Sequence, residues 1–284
     1  MRGAASAVLG AVLALVTGAA SAAGPDPARG ELIFNIGGCT SCHTAKGGQV
    51  LAGGDPLVTP FGSFYPPNIT PDPDTGIGKW SEADFGRAMR NGRGPDGSPL
   101  YPAFPYTSYT RITDEDLAAL WAYLRSLPPV RKPSQPHQLS FPYNIRASLN
   151  VWQDLFFEPG RFQPDPGHDA VWNRGAYLVE GPGHCQECHT PRGFMGQLQR
   201  DRAFAGAPNP SGKGKIPNIT SDPDVSIGKW SQDDVVTALT LGMLPDGDFL
   251  GQQMAEVVRN STGKLPKEDV EAIATYIKSL PAKR

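Results

Sequence analysis

A chain of 284 residues has room for two domains of ordinary size rather than one large core. Its 26 Lys and Arg against 28 Asp and Glu give a formal charge of −2, which excludes the strong positive field that binds nucleic acid or anionic lipid and leaves a protein as the expected partner. The 29 Pro and 33 Gly point to long ordered loops between short helices, and all four Cys fall in two short clusters.

The chain opens with Arg2, an apolar stretch from Ala4 to Val16, and the small residues Ala20-Ser21-Ala22. This pattern reads as a secretory signal over 1–22, cleaved before Ala23. The stretch is shorter than the roughly 20 apolar residues of a spanning helix, and nothing later in the chain is as apolar. The expected location is the periplasm, with no integral membrane segment after cleavage.

Two copies of one plan follow, offset by roughly 150 residues. The expected organisation is an all-α protein with one domain over 23–130, a strap over 131–170 and a second domain over 171–284. Each copy opens on an amphipathic segment, Arg29 to Phe34 and Arg174 to Val179, and then reaches a Cys-x-x-Cys-His cluster. Pro67-Asn68-Ile69-Thr70 and Pro217-Asn218-Ile219-Thr220 come next, then Ile77-Gly78-Lys79-Trp80-Ser81 and Ile227-Gly228-Lys229-Trp230-Ser231. Ser81 with Asp84, and Ser231 with Asp234, predict helix starts. Gly92 and Gly242 predict where those helices stop. A last helix begins after Thr113 in the first copy and at Pro266 in the second. Leu117, Leu120, Trp121 and Leu124 share one face, as do Val270, Ile273, Tyr276 and Ile277. The strap carries Phe141, Trp152, Phe156, Phe157 and Phe162, more aromatics than a disordered linker holds, so it is expected to pack across both domains. No strands of consequence are expected.

Cys39-Thr40-Ser41-Cys42-His43 and Cys185-Gln186-Glu187-Cys188-His189 each match the pattern for covalent attachment of a c-type haem. Two thiols on one helical turn can add to the two vinyl groups on one porphyrin edge, and the adjacent imidazole, His43 or His189, then points at the iron. A redox disulfide would leave each following His without a purpose. Structural zinc would need four ligands where each cluster offers three. Two covalently bound haem c groups are therefore expected. They also supply the apolar interior that long loops lack.

A distal Met is the usual second axial ligand of such iron. In the second copy Met254 is the favoured donor, with Met243 and Met195 as rivals. In the first copy Phe104 aligns with Met254 and has no lone pair to give. Met89, His137, His168 and Tyr101 are the other candidates there, and an open or weakly filled site is the leading expectation. The carbonyls of Pro66 or Pro67, and of Pro217, are candidates to accept the second N–H of each imidazole. Trp80 and Trp230 are either haem-propionate donors or core aromatics. Asp72-Pro73-Asp74 and Asp222-Pro223-Asp224 read as turns, because no glutamate at calcium-loop spacing follows.

Gly183-His184-Cys185 through Arg192, the two Pro-Asn-Ile-Thr loops and Leu100 to Tyr106 closely resemble the cytochrome c subunits of bacterial membrane-bound alcohol dehydrogenases and related periplasmic molybdenum hydroxylases. That resemblance implies transfer of single electrons from a quinoprotein or molybdenum dehydrogenase to a downstream acceptor. Family members commonly carry three haem domains and a C-terminal anchor. Two domains are legible here, so the expectation is a soluble carrier or a detachable subunit. The alternative, favoured by Phe104, is a di-haem enzyme of peroxidase-like or thiosulfate dehydrogenase-like type working at an open first haem.

Overall fold

The computed structural model describes residues 24–210, 214–224 and 226–284, so the expected secretory signal lies outside the described residues. Helices dominate, and their ends follow from local chemistry. Helix α1 (Pro27–Ile36) starts where the Asp26 carboxylate accepts the Ala28 N–H, with Pro in the first turn. The short α2 (Cys39–His43) carries the first cysteine cluster. Helix α3 (Glu82–Asn91) has the full capping box of Ser81 and Asp84 and ends on Gly92 in the left-handed region, φ 59°. Next come α4 (Tyr106–Tyr109) and α5 (Asp114–Ser126), the latter capped by Thr113. In the strap lies α6 (Ser148–Phe156).

The second half repeats the order with α7 (Ala170–Glu180), α8 (Gln186–His189), α9 (Gln232–Leu241), α10 (Gln252–Asn260) and α11 (Lys267–Ser279). Ser231 and Asp234 form the capping box of α9, and Gly242 ends it at φ 73°. Pro266 stands one residue outside α11 as its cap, with extended ψ, rather than inside its first turn. Helix α10 was not among the expected helices.

The strands among the described residues are two or three residues long, in keeping with the expectation of none of consequence. In the first half β1 (Leu57–Thr59) and β2 (Gly62–Phe64) form an antiparallel hairpin, and β3 (Gln138–Leu139) of the strap adds to its free edge, Gly62 opposite Leu139. In the second, β4 (Ala207–Pro208) pairs with β5 (Lys215–Ile216). Such short pieces cannot display the two-residue alternation by which a strand is read.

In each half the first helix packs against the last, α1 on α5 and α7 on α11. The crossing is close because of one glycine in each. A Cβ on Gly30 would stand 2.2 Å from the Ala119 carbonyl oxygen, and one on Gly175 would stand 2.0 Å from that of Ala272. Beside each crossing a buried carboxylate is paired with an arginine: Asp116 with Arg29, and Asp269 with Arg174 at 2.7 and 2.8 Å. Burial disfavours a lone charge strongly, so these pairs must form together. Leu117, Leu120 and Leu124 are buried with Ile33 and Phe34; Val270, Ile273, Tyr276 and Ile277 are buried with Leu178 and Val179. Each such aliphatic contributes about 1.5–3 kcal/mol relative to exposure.

Residues of the strap touch both halves. The Gln153 amide donates to the Asn91 and Gly92 carbonyls at 3.3 Å, while the Trp152 indole donates to the Met195 carbonyl at 3.0 Å. Phe157 packs edge-on against Tyr106, and Phe162 against Tyr177. Phe141 is the exception, 79% exposed.

Candidate functional site

Both cysteine clusters form a single helical turn with the thiols unpaired. Cys39 and Cys185 are half-buried; Cys42 and Cys188 are exposed. Burial pushes the thiols of Cys39 and Cys185 up to about 12, and the neighbouring cysteine of each pair adds to the shift. A dithiol that exchanges with disulfides needs the opposite, a thiol with lowered pKa. The direction of these shifts runs against redox exchange.

The two imidazoles have the same environment. Nδ1 of His43 lies 2.7 Å from the Pro67 carbonyl oxygen, and Nδ1 of His189 lies 2.8 Å from that of Pro217. A carbonyl can only accept, so Nδ1 carries the proton and Nε2 presents its lone pair away from the loop. Loss of solvent around each ring lowers its pKa, which keeps it neutral. Of the two candidate carbonyls in the first half Pro67 is the one used; that of Pro66 accepts the Gly54 N–H at 3.1 Å.

The repeated Pro-Asn-Ile-Thr loop explains how those carbonyls are held. Asn68 donates to the Val130 carbonyl at 2.7 Å and accepts the N–H and hydroxyl of Thr70 at 2.9 and 2.8 Å. Asn218 donates to the Lys283 carbonyl at 2.6 Å and accepts from Thr220 in the same way, at 2.8 and 2.7 Å. Each asparagine thus pins the loop to the segment that follows the last helix of its own half. Asn68 and Asn218 escaped the sequence reading as functional residues, although their repetition marked them.

The halves meet through the clusters themselves. Ser41, between the first two cysteines, accepts from the Asn260 amide at the end of α10, at 3.1 Å. Its counterpart Glu187, between the second two, accepts from the Thr107 hydroxyl in α4 at 2.6 Å and is paired with Arg192 at 2.6 Å. Gly37, just before the first cluster, offers its carbonyl to the Tyr109 hydroxyl at 3.0 Å and to Nε2 of His184 at 3.2 Å. Although the Cys42 residue is exposed as a whole, loss of solvent around its sulfur raises the thiol, and Cys188 lies near enough to raise it further. Nothing in the sequence marks Ser41, Asn260, Tyr109 or His184 for this task, because their partners are far away along the chain.

The candidates for the opposite side of the iron separate by burial. Met254 stands in the first turn of α10, partly buried against the main core, whereas Met195 is 37% and Met243 39% exposed. Phe104 occupies the corresponding place before α4 and packs against the same core. The correspondence is structural as well as sequential: Leu100 bonds back to Gly92 and Leu250 to Gly242, each at 2.7 Å. Met89 is buried on α3, as Leu239 is at the matching point of α9. His137 lies between Phe64 and Tyr101, and its Nδ1 accepts the Tyr65 N–H at 3.1 Å. Tyr101 donates to the Tyr143 carbonyl at 3.0 Å. His168 stacks on Trp172 at 3.8 Å on the surface. Trp80 and Trp230 are half-buried against the core. The aspartate turns close on themselves or on arginine: Asp72 accepts the Thr75 N–H at 2.7 Å, and Asp222 pairs with Arg284 at 3.0 Å.

Two unpaired thiols on one turn and an imidazole with a free Nε2, twice over, are a donor set that fits c-type haem. The cytochrome c family profile matches residues 27–128. The chain is 47% identical over 267 residues to a protein named "Diheme cytochrome c-type" from Cereibacter sphaeroides, covering 90% of this chain and 86% of that protein. The chain belongs to the di-haem cytochrome c family. As such it is an electron-transfer protein with two covalently bound haem c groups. This cytochrome is also 42% identical over 283 residues to the cytochrome c subunit of a quinone-dependent alcohol dehydrogenase from Gluconacetobacter polyoxogenes, covering 95% of this chain and 60% of that subunit. It is 44% identical over 262 residues to one of the subunits of nicotinate dehydrogenase from Pseudomonas putida, with 89% of the cytochrome matched to 21% of that longer protein. Among the described residues no helix is long and apolar enough to cross a membrane.

Proposed function

We propose that this cytochrome is a periplasmic carrier that takes single electrons from a quinoprotein or molybdenum dehydrogenase and hands them to a downstream acceptor. Two tandem cytochrome c domains, 23–130 and 171–284, joined by the strap over 131–170, do this work after a leader over 1–22 has directed export. Cys39 and Cys42 would hold one haem and Cys185 and Cys188 the other, with His43 and His189 as proximal ligands and Met254 as the distal ligand of the second. The haem groups, when bound, supply one-electron iron chemistry.

The chain's own part is to orient and space the sites. The Pro67 and Pro217 carbonyls hold each imidazole proton, which fixes the ring plane and makes Nε2 a better donor. The observation that carries the proposal is the reciprocal seam, Ser41 to Asn260 and Glu187 to Thr107, which draws the two attachment turns together. A fixed, short separation is what electron passage between two sites requires. The dehydrogenase partner is supported by the names of the relatives, two of which are a dehydrogenase cytochrome subunit and a dehydrogenase subunit.

The test is a rapid-mixing experiment on the periplasmic holoprotein. Reduction of both haems should follow addition of a quinoprotein alcohol dehydrogenase, or a molybdenum hydroxylase, with its substrate. Failure of every such donor to reduce either haem removes the carrier reading, and sustained turnover of peroxide or thiosulfate by the purified protein would install the enzyme in its place.

A further inference from the structure

The two halves part company at one position. Phe104 stands where the second half has Met254, partly buried against the same core and reached by the same backbone path. A phenyl ring has no lone pair for iron. Among the described residues, the other candidates raised for this site are held by packing or by partners of their own. Met89 holds a core position whose counterpart, Leu239, cannot ligate a metal, so a side chain there serves packing. His137 accepts a backbone N–H at Nδ1, which places its proton on Nε2 and leaves no second lone pair. The hydroxyls of Tyr101 and Tyr109 are donated to the Tyr143 and Gly37 carbonyls. His184 donates Nε2–H to the Gly37 carbonyl beside the first cluster and packs edge-on against Tyr109, and His168 is stacked on Trp172 at the surface.

We propose that the first haem site binds a small uncharged diatomic ligand, carbon monoxide or nitric oxide, on the side covered by Phe104. The inference rests on attachment of a haem at Cys39, Cys42 and His43. Its chemical class follows from the cover. Phe104 makes ring contacts with Tyr106 and Tyr109, centroids 6.4 and 5.6 Å away. Polarity, hydrogen-bond donors and access on that side decide what a haem iron takes. Aromatic rings that carry no charge favour a neutral ligand over an anion, because an anion would lose its hydration without gaining a charged partner. With a haem held by Cys39, Cys42 and His43, binding would be simple coordination through the ligand's lone pair, with no net oxidation and no bond broken within the ligand.

The experiment is titration of the dithionite-reduced holoprotein with carbon monoxide, read by the Soret shift and by the amount bound per chain, alongside a mass that counts attached haems. The wild type should carry two haems and bind carbon monoxide at one of them. Phe104→Met should lose that binding and gain a second sulfur-to-iron charge-transfer band in the oxidised protein. Met254→Ala should lose the existing band and bind at both haems. A wild type that carries two haems but takes up no carbon monoxide overturns the proposal, as does binding that survives Phe104→Met unchanged. A mass showing one haem would instead remove the attachment at Cys39 and Cys42. Reduction by a dehydrogenase is a separate readout, so the carrier reading can stand or fall alone.

Discussion

The first and second halves share a frame and differ in what covers it. Gly30 and Gly175 permit the helix crossing, Arg29–Asp116 and Arg174–Asp269 flank it, and Pro67 and Pro217 receive the imidazole protons. Against this, Phe104 replaces Met254. A satellite cluster of Phe64, Tyr101 and Leu149, with His137 among the rings, is built on the first half alone, where the strap lies over it. The repeated features answer to constraints that admit few solutions, namely backbone contact, a buried charge and the tautomer of an imidazole. The cover answers to what each site must accept or exclude, and so it can diverge.

The comparison can be broken most forcefully at the clusters. Replacing Cys39 and Cys42 together by Ala should remove about half the Soret absorbance and one haem from the mass while the second half keeps its own; loss of both haems would show that the halves cannot mature separately. Next come Gly30→Ala and Gly175→Ala. Each forces a methyl into a carbonyl of the facing helix and should cost about 1–3 kcal/mol in thermal unfolding. Unequal losses would mean that one crossing can relax where the other cannot.

Asn68→Ala and Asn218→Ala each leave a carbonyl and a Thr hydroxyl short of a partner, at about 1–3 kcal/mol. With the proline carbonyl less firmly held, the imidazole donates less to iron and the reduction potential of that haem should rise, which spectroelectrochemistry reads haem by haem. Ser81→Ala and Ser231→Ala remove matching caps and should each cost about 1 kcal/mol in chemical denaturation.

The smallest effect sharpens the difference between halves. Burial, helped by Arg146, lowers the His137 pKa in the folded chain. The unfolded chain therefore binds the proton more readily, and the stabilisation His137 gives above the ordinary histidine value of about 6.5 is lost as the pH falls from there through the lower folded value. Protonated His137 cannot accept the Tyr65 N–H. The protection of the Tyr65 amide against hydrogen exchange, taken relative to the intrinsic rate at each pH, should fall on acidification, and protection in the matching region of the second half should not change.

Much of this was legible in residue order. The capping pairs Ser81–Asp84 and Ser231–Asp234, the stop glycines Gly92 and Gly242, and the buried faces of α5 and α11 were expected and found, because each depends on neighbours within one or two helical turns. The places of the short strands and helix α10 were not legible. Pairing β3 with β2 joins residues more than seventy positions apart, and α10 begins at Gly251 without a side-chain cap to announce it. Of the two proline carbonyls proposed for His43, only the folded loop could choose between them.

By itself the sequence determined the chemistry: two thiol pairs, each followed by an imidazole, in a duplicated helical frame with Phe104 standing against Met254. The tertiary structure alone decided how the two sites meet, through Ser41 and Asn260, Glu187 and Thr107, and the shared carbonyl of Gly37. The reason is the range of the forces involved. Motif spacing and capping act over a few bonds and leave a trace in residue order, whereas a seam between halves is a set of single hydrogen bonds whose partners become neighbours only after both cores have closed.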